Sequence, residues 1–443
     1  SIKTLKEIKF PHSIGLLYSA FTFYCGFKVN SGEYKLMGLA PYGEPKYVDM
    51  IYENLITLKG DGSFKLNMDY FSYLETDKMT NEKFNNLFGG KPREPESIIT
   101  QKETDIACSI QKVTEDIVLG LAKHAKKITN LDSLCLAGGV SLNCVANGVL
   151  DKANIFNKIW IQPASGDAGG ALGAALAATY MHFKKTRVIE MGKDSQKGSY
   201  LGPSYTNHEV KTALDEFNAI YEIVDDKDKR AFLIANAIKD GKIVGFMNGR
   251  MEFGPRALGA RSILGDPRNK DTQSKMNLKI KYRESFRPFA PSILRHKANE
   301  WFEMKNDSPY MLLVNKVLKK ERKNFQKSNI DKNLINIVNI AKSSIPAVTH
   351  LDYSARIQTV SEDNNKDFFK VISAFEELTG VPILVNTSFN VRGEPIVCSP
   401  DDAYRCFMRT EMDILAIENC ILYKNKQPKI IQDDSWKEEY ELD

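Results

Sequence analysis

The 443-residue sequence contains no run of the ~18 apolar residues that would mark a membrane-spanning segment, so no membrane is expected as a partner. It does not open on the basic n-region and short apolar h-region of a secretory signal. Its seven cysteines, Cys25, Cys108, Cys135, Cys144, Cys398, Cys406 and Cys420, form no CxxC and are odd in number. That excludes an obvious disulfide or thiolate–metal framework and favours reduced, buried thiols in a cytoplasmic protein. The six histidines include no pair at metal-ligand spacing, and Walker A, GxSxG and HExxH are all missing. No basic repeat interleaved with aromatics is present, which speaks against nucleic acid as a partner. Internal repeats are also absent. The first residue, Ser1, is not Met, and residues 1–27 read as the middle of a domain, so further residues are expected before them.

What is present is an ordinary globular composition, 42% hydrophobic and 26% charged, long enough for two or three domains of ~100–200 residues. The basic charge is local. From Arg250 to Arg295 there are seven Arg and four Lys against four acidic residues, an excess larger than the net +5 of the whole chain. Small anionic ligands are the expected reason.

Apolar spacing predicts a helix over 105–127, a short buried-type strand over 133–137 and a helix from Ser141 to Leu150. A strand over 158–162, a Gly/Ser loop and an Ala-rich helix to about His182 follow. Strand–GG–helix followed by strand–SGDAGG–helix is α/β logic. Residues 185–206 lose periodicity and read as a linker. A second α/β unit then opens with a helix at 207–217, a strand at 219–224, a helix at 228–240 and a strand at 242–248. Residues 316–345, rich in Lys and Asn, read as a surface insertion. A helix at 367–379 stops at Gly380, and a strand at 382–386 enters the NTSFN turn. A helix capped by Ser399 ahead of Pro400, a last strand over 413–423 and a frayed charged tail complete the chain.

The segment Gly249–Pro267, GRMEFGPRALGARSILGDP, places Arg250, Arg256 and Arg261 among turn-forming residues. Three guanidiniums this close repel one another unless an anion lies among them, and glycines let backbone N–H groups approach it. In LAGGVSLNCVAN, Gly138 and Gly139 pass from strand to helix, where a phosphate could meet helix N–H groups, with Asn143 nearby. In ASGDAGGALGA, Gly169 would admit a flat ligand, and Asp167 either caps the helix or ligates a ribose or metal. In NSGEYKLMGLAPYG, Glu33 could hold ribose hydroxyls and Lys35 a phosphate or the loop itself. Lys281, Arg283 and Arg287 lie in KYRESFRPFAPS, where Lys281 and Arg283 would point to one side of an extended strand. Ser388, Asn390 and Arg392 sit in VNTSFNVRGEPI, with Arg356 and Gln358 in SARIQTV as a further fork. His12, in FPHSIGLLYSAFTFYCGF, is a candidate acid/base. His124 and His182 read as structural residues on helix exteriors.

These motifs, in this order, closely resemble the O-carbamoyltransferases, a family that includes the nodulation-factor, cephamycin and tobramycin carbamoyltransferases. The match runs from about His12 to Tyr423 and is carried most specifically by GRMEFGPRALG and NTSFNxxGEP. The resemblance implies an ASKHA-type transfer domain at 1–185, N-terminally incomplete, as in tRNA threonylcarbamoyl transferases. A linker at 186–206, a YrdC-like domain at 207–430 and a polar tail at 431–443 would follow.

The implied reaction forms carbamoyladenylate from carbamoyl phosphate and ATP, then transfers the carbamoyl group to a hydroxyl of a small molecule or glycan. Catalysis would fall to Lys281, Arg283, Ser388, Asn390 and His12. Glu33, Lys35, Gly138, Gly139, Asn143, Gly169, Arg250, Arg256, Arg261, Arg287 and Arg356 would bind the nucleotide and anions. Asp167 matches the family's metal aspartate. Its Fe(II) would take two further histidines from an HxxxH helix expected before Ser1, and Mg²⁺ could accompany ATP. A homodimer is a reasonable expectation. Threonylcarbamoyl transfer to tRNA and a non-catalytic nucleotide-binding role remain open on the residues alone.

Overall fold

A computed structural model of the chain describes residues 2–188, 190, 194–282, 289–323 and 341–428. Contacts divide it into two compact units, Ser1–Arg187 and Val188–Leu442.

The first unit is mostly helical. Its spine is the helix Gln101–Thr129, started by a capping box in which Thr100 and Glu103 exchange side-chain and backbone hydrogen bonds. A cap of this kind contributes about 1 kcal/mol, which is why the helix begins four residues ahead of the apolar pattern. The helix is long enough to span a bilayer but amphipathic. No helix among the described residues is both long and apolar enough to cross a membrane. Helices Ile14–Tyr24 and Glu33–Leu39 pack on the spine, and a hairpin of β1 (Ile56–Leu58) and β2 (Phe64–Leu66) stands beside them.

β3 (Ser133–Leu136) and β4 (Lys158–Ile161) pair in parallel. Leu134, Leu136 and Ile159 pack beneath Leu150 and Phe156. The expectation of a buried strand at 133–137 fails, however: Cys135 is exposed and Trp160 is 39% exposed. Among the described residues only one face of this two-stranded sheet is covered, so alternate side chains meet water. The helix after β3 also starts later than expected. Residues Gly139–Leu142 form a 3₁₀ turn, and the α-helix is Cys144–Lys152, capped by Asn143. His124 is half-buried, and its Nε2 is enclosed with no hydrogen-bond partner among the described residues.

The second unit is built on one mixed sheet of nine strands, ordered β5-β13-β12-β6-β7-β11-β8-β10-β9. In chain order these are β5 (Glu222–Ile223), β6 (Val244–Met247), β7 (Arg261–Gly265), β8 (Ala290–Leu294), β9 (Leu313–Lys316), β10 (Ser354–Val360), β11 (Ile383–Ser388), β12 (Ile414–Ile417) and β13 (Cys420–Tyr423). Only the β6/β12 and β8/β10 pairs are parallel. Successive residues feed opposite cores, as period-2 geometry requires. Ile383 and Val385 join Val210, Leu214, Tyr404 and Phe407 on one face. Leu384 joins Ile234, Ile238, Phe368 and Phe375 on the other. Burial on both faces explains why these strands read as continuous apolar runs.

Several boundaries differ from the sequence reading. The last strand is a hairpin, because Glu418 takes a left-handed φ of 47° and reverses the chain between β12 and β13. Lys281 ends a π-turn, Asn277–Lys281, that continues the helix Asp271–Met276, so it is not on an extended strand. Of the 316–345 segment, residues 324–340 lie outside the described residues, and at its two described ends Val317, Lys342, Ser343 and Ile345 are all at most 1% exposed. Residues 194–206 are not a free connection. Ser199 exchanges hydrogen bonds with Phe253, and Gly202 donates to Met251. The tail lies outside the described residues.

Candidate functional site

Three of the expected residues converge at the end of β11. β7 and β11 pair Ser262 with Ser388, and the Phe389 N–H donates to the Arg261 carbonyl, which fixes the turn leaving β11. Asn390 Nδ2 donates to the Glu394 carbonyl at 2.6 Å, and Glu394 Oε2 accepts the Val391 N–H at 2.8 Å, closing the turn on itself. Into this turn reaches Lys281, only 3% exposed. Its ammonium donates to Ser388 Oγ at 3.1 Å, Asn390 Oδ1 at 2.6 Å and the Asn390 carbonyl at 2.9 Å, and also to the Ser388 carbonyl. Ser388 Oγ in turn donates to Asn390 Oδ1 at 2.7 Å. The Arg392 N–H donates to the Lys281 carbonyl, so main chain and side chain bind the same partner. Burial pushes the nearby Cys406 thiol well up, and the charge of Glu394 adds to the effect, so this cysteine is an inert thiol.

A charge gathered on neutral oxygens can still act on an anion, because dipoles orient an ammonium without cancelling it. Arg283 and Arg287, expected beside Lys281, lie outside the described residues. On β10, the alternation puts Arg356 and Gln358 on one sheet face. Gln358 is not a ligand fork. Its Oε1 accepts from Ser292 Oγ and from Asn386 Nδ2 at 2.9 Å, and its Nε2 donates to the Leu258 carbonyl at 2.8 Å.

The arginine loop separates into three different roles. Arg261 is fully buried, and its guanidinium donates to the carbonyls of Gly249 at 3.1 Å, Ala260 at 2.9 Å, Pro203 at 3.3 Å and Cys398 at 3.4 Å. The expectation that it binds a ligand anion is therefore corrected: carbonyl oxygens satisfy it. Burial lowers its pKa, partly offset by Glu252. Arg250 is exposed, donates to the Gly202 carbonyl at 2.8 Å and lines a separate polar cleft of about 840 Å³ with Asn248, Arg295 and Asp367. Arg256, between them in the chain, is buried at 8% exposed.

In the first unit, the turn Gly138–Gly139 is tied to the 165–167 loop by a bond from the Gly138 N–H to the Ser165 carbonyl. Gly138 has φ 95°, and a side chain built at either glycine meets nothing within 4 Å, so the turn opens onto free space. Asp167 is exposed in the first turn of the helix Asp167–Ala177. Other expected ligands are committed locally. Asn143 caps its helix at Ala146 and exchanges two amide bonds with Gln111. Gly169 is required by close packing, since a Cβ there would fall 2.1 Å from the Ala164 carbonyl oxygen. Glu33 Oε1 accepts from Ser19 Oγ at 2.7 Å and the Asn30 N–H at 3.1 Å. Lys35 is 1% exposed, with its ammonium 5.8 Å above the Phe27 ring, so it serves the loop rather than a solvent-borne phosphate. His12 Nδ1 accepts the Leu66 N–H at 3.2 Å and lines a pocket of about 430 Å³ with Glu53, Lys65 and Asn67.

Sequence reasoning missed Glu252 and Ser292, and gave Asn386 only a turn role. The one available signal for Glu252 was its being the sole acid among the three arginines of the loop.

Two family models match the chain. Carbamoyltransferase N-terminus covers residues 2–176 and Carbamoyltransferase C-terminus covers residues 235–424. The chain is 56% identical over 439 residues to an uncharacterized protein of Synechocystis, covering 99% of this chain and 71% of that protein. It is 37% identical over 435 residues to nodulation protein NolNO of Sinorhizobium fredii, covering 96% and 57% of the two. Against nodulation protein NolO of Bradyrhizobium diazoefficiens it is 36% identical over 435 residues, covering 96% and 72%.

Proposed function

This chain belongs to the carbamoyltransferase family of enzymes, and on that premise we propose that it makes carbamoyladenylate and passes the carbamoyl group to a hydroxyl of a small molecule or glycan. In this reading the second unit is YrdC-like and activates, while the first is ASKHA-type and transfers.

Carbamoyl phosphate gives up its phosphate to water, leaving carbamate. A carbamate oxygen attacks the α-phosphorus of ATP and pyrophosphate leaves. The acceptor oxygen then attacks the carbamoyl carbon, loses its proton, and AMP departs. Activation is needed because nitrogen and oxygen both donate into the carbamate carbonyl and blunt it as an electrophile. The observation that carries the reading is the buried Lys281 ammonium oriented by Ser388 and Asn390. A fixed cation of this kind stabilises charge that develops on phosphoryl oxygens, at no cost in reorganisation during the step. Arg256, Arg283, Arg287 and Arg356 would add planar donors to the same anions. The open Gly138–Gly139 turn would hold the adenylate for transfer.

Of the Fe(II) ligands that the resemblance implies, Asp167 is the one within this chain, and the two histidines are expected before Ser1. Asp167 is a single exposed carboxylate, and no group of three or more His, Cys, Asp or Glu side chains among the described residues could hold a metal ion. With that ion bound, Asp167 would be one of its ligands, and the ion would supply a Lewis acid that polarises the carbamoyl carbonyl or lowers the acceptor hydroxyl's pKa. The test is to incubate the chain with ATP and carbamoyl phosphate, follow pyrophosphate, and identify carbamoyl–AMP by mass spectrometry. Pyrophosphate release that depends on carbamoyl phosphate is expected. Release indifferent to carbamoyl phosphate, or no carbamoyl–AMP, would overturn the proposal.

A further inference from the structure

Lys424 leaves β13 and sits against the helix Pro400–Arg409. Its Nζ donates to the Phe407 carbonyl and lies 4.1 Å from the centre of the Phe407 ring. Its backbone N–H donates to the Asp413 carbonyl, which holds the residue at the β12–β13 hairpin. Among the described residues no carboxylate pairs with it. The acids that could do so hold other partners. Asp413 accepts from Lys242, Lys275 and the Ile243 N–H, and Glu411 pairs with Lys279. A ring face and one carbonyl replace only part of the water that a buried ammonium loses. Burial accordingly pulls the Lys424 pKa down to about 8, with Cys406 and Asp413 opposing the shift.

Lys424 is half-buried and lines a cavity of about 700 Å³ with Leu233, Met408, Met412 and Ile414, together with Asp240 and Glu411. Lys342 makes the contrast. Burial lowers its pKa to about 8 as well, but at 1% exposed it is sealed from solvent. Lys424 thus joins two properties that no carboxylate cancels: an amine short of water, and space beside it for a small reagent. The shift gives it on the order of a hundredfold more neutral amine near neutral pH than an ordinary lysine has. A neutral amine that gives one N–H to a carbonyl keeps its lone pair for an electrophile.

We propose that Lys424 is a modification site whose Nζ takes up a carbamoyl group from isocyanic acid, the electrophile present in cyanate solutions. Nζ bonds to the carbon of HN=C=O, the C=N π pair moves onto the isocyanate nitrogen, and a proton passes from Nζ to that nitrogen. A neutral urea results; nothing leaves, and nothing is oxidised or reduced. The adduct has no charge to desolvate, so it relieves the burial cost that the ammonium bears. Carboxylation by CO₂ would instead place a new anion among Asp240, Glu411 and Asp413. The carbamoyl phosphate of the reading above releases isocyanic acid when its C–O bond to phosphate breaks and an N–H proton passes to the departing phosphate. The proposal rests on that reading only for the origin of the reagent, and the experiment supplies the reagent directly.

The native chain is incubated with potassium cyanate near neutral pH, quenched at intervals, digested and mapped by tandem mass spectrometry. Lower basicity also weakens a nucleophile, so the net advantage expected for Lys424 over exposed lysines such as Lys59 and Lys229 is roughly tenfold in rate. Lys342 should stay unmodified. In guanidinium chloride, where burial is lost, Lys424 should fall to the rate of the exposed lysines. A native-state rate no faster than that of Lys59, or a preference that survives in guanidinium, would overturn the proposal. Failure to find carbamoyl–AMP in the assay above would strike the adenylate reading and leave this labelling result standing, so the two fail separately.

Discussion

Replacing Lys281 with Met removes the ammonium but keeps most of the stem volume, so the first effect is electrostatic. Four oxygens of Ser388 and Asn390 receive the native ammonium. Two of them, Ser388 Oγ and Asn390 Oδ1, already bond each other at 2.7 Å and keep that partner in the variant. The two carbonyls lose a donor in a site where the lysine is 3% exposed. A buried acceptor left without a donor costs about 1–3 kcal/mol, so stability should fall by about that amount and the fold should survive. The chemical effect is separate. Loss of one charge-assisted bond to a phosphoryl oxygen is worth about 1.5–3 kcal/mol, which is roughly tenfold to a hundredfold in rate. Lys281→Arg should not rescue activity, because a planar fork cannot converge on acceptors grouped around one point. The assay is carbamoyl-phosphate-dependent pyrophosphate release at subsaturating ATP, with thermal unfolding measured in parallel. A variant that loses stability but releases pyrophosphate at the native rate would refute the reasoning and reduce Lys281 to a structural pin.

Three further outcomes are expected. Arg261→Lys should destabilise the chain by about 2–3 kcal/mol, because one ammonium cannot reach four divergent carbonyls; a melting curve unchanged from the native one would count against that role. Glu418 accepts the Gly249 N–H at 2.7 Å, and its pKa is raised by burial. Its raised folded pKa makes the native state bind more protons than the unfolded one, so this residue withdraws stability as pH rises through the interval above the ordinary carboxylate range. Glu418→Gln should accordingly gain stability relative to the native chain on going from acid to neutral pH, and a difference that is flat with pH would exclude the linkage. Asp167→Ala should melt like the native chain, because its side chain is exposed, yet lose carbamoyl transfer while keeping pyrophosphate release; normal transfer to a hydroxyl acceptor would remove Asp167 from the site.

Much of the second unit is legible in the sequence because its signals are local. Ser399 before Pro400 announces a capped helix, and the capping box is found. Gly380 stops its helix in the left-handed conformation, at φ 74°. Runs such as Ile383–Val385 declare a strand buried on both sides. The motifs also bring Lys281, Ser388 and Asn390 into one candidate site, since VNTSFN must turn sharply at the end of a strand. Burial of particular polar groups was not legible. Nothing in the sequence around Arg261 marks it as a guanidinium held by four carbonyls, contributed by residues 203, 249, 260 and 398. Cys135 lies in an apolar run but faces outward, because nothing described covers that face of β3.

The sequence by itself determined the α/β class, most element boundaries and the family. Each of these follows from spacing, caps and motif order within a few residues of chain. Only the tertiary structure decided which charges, such as Arg261, are spent on the fold. That choice depends on carbonyls and amides brought in from distant strands, such as Asn386 and Gln358 reaching across to the arginine loop. Desolvation and hydrogen bonding are set by those neighbours in space, and a side chain's identity does not reveal them.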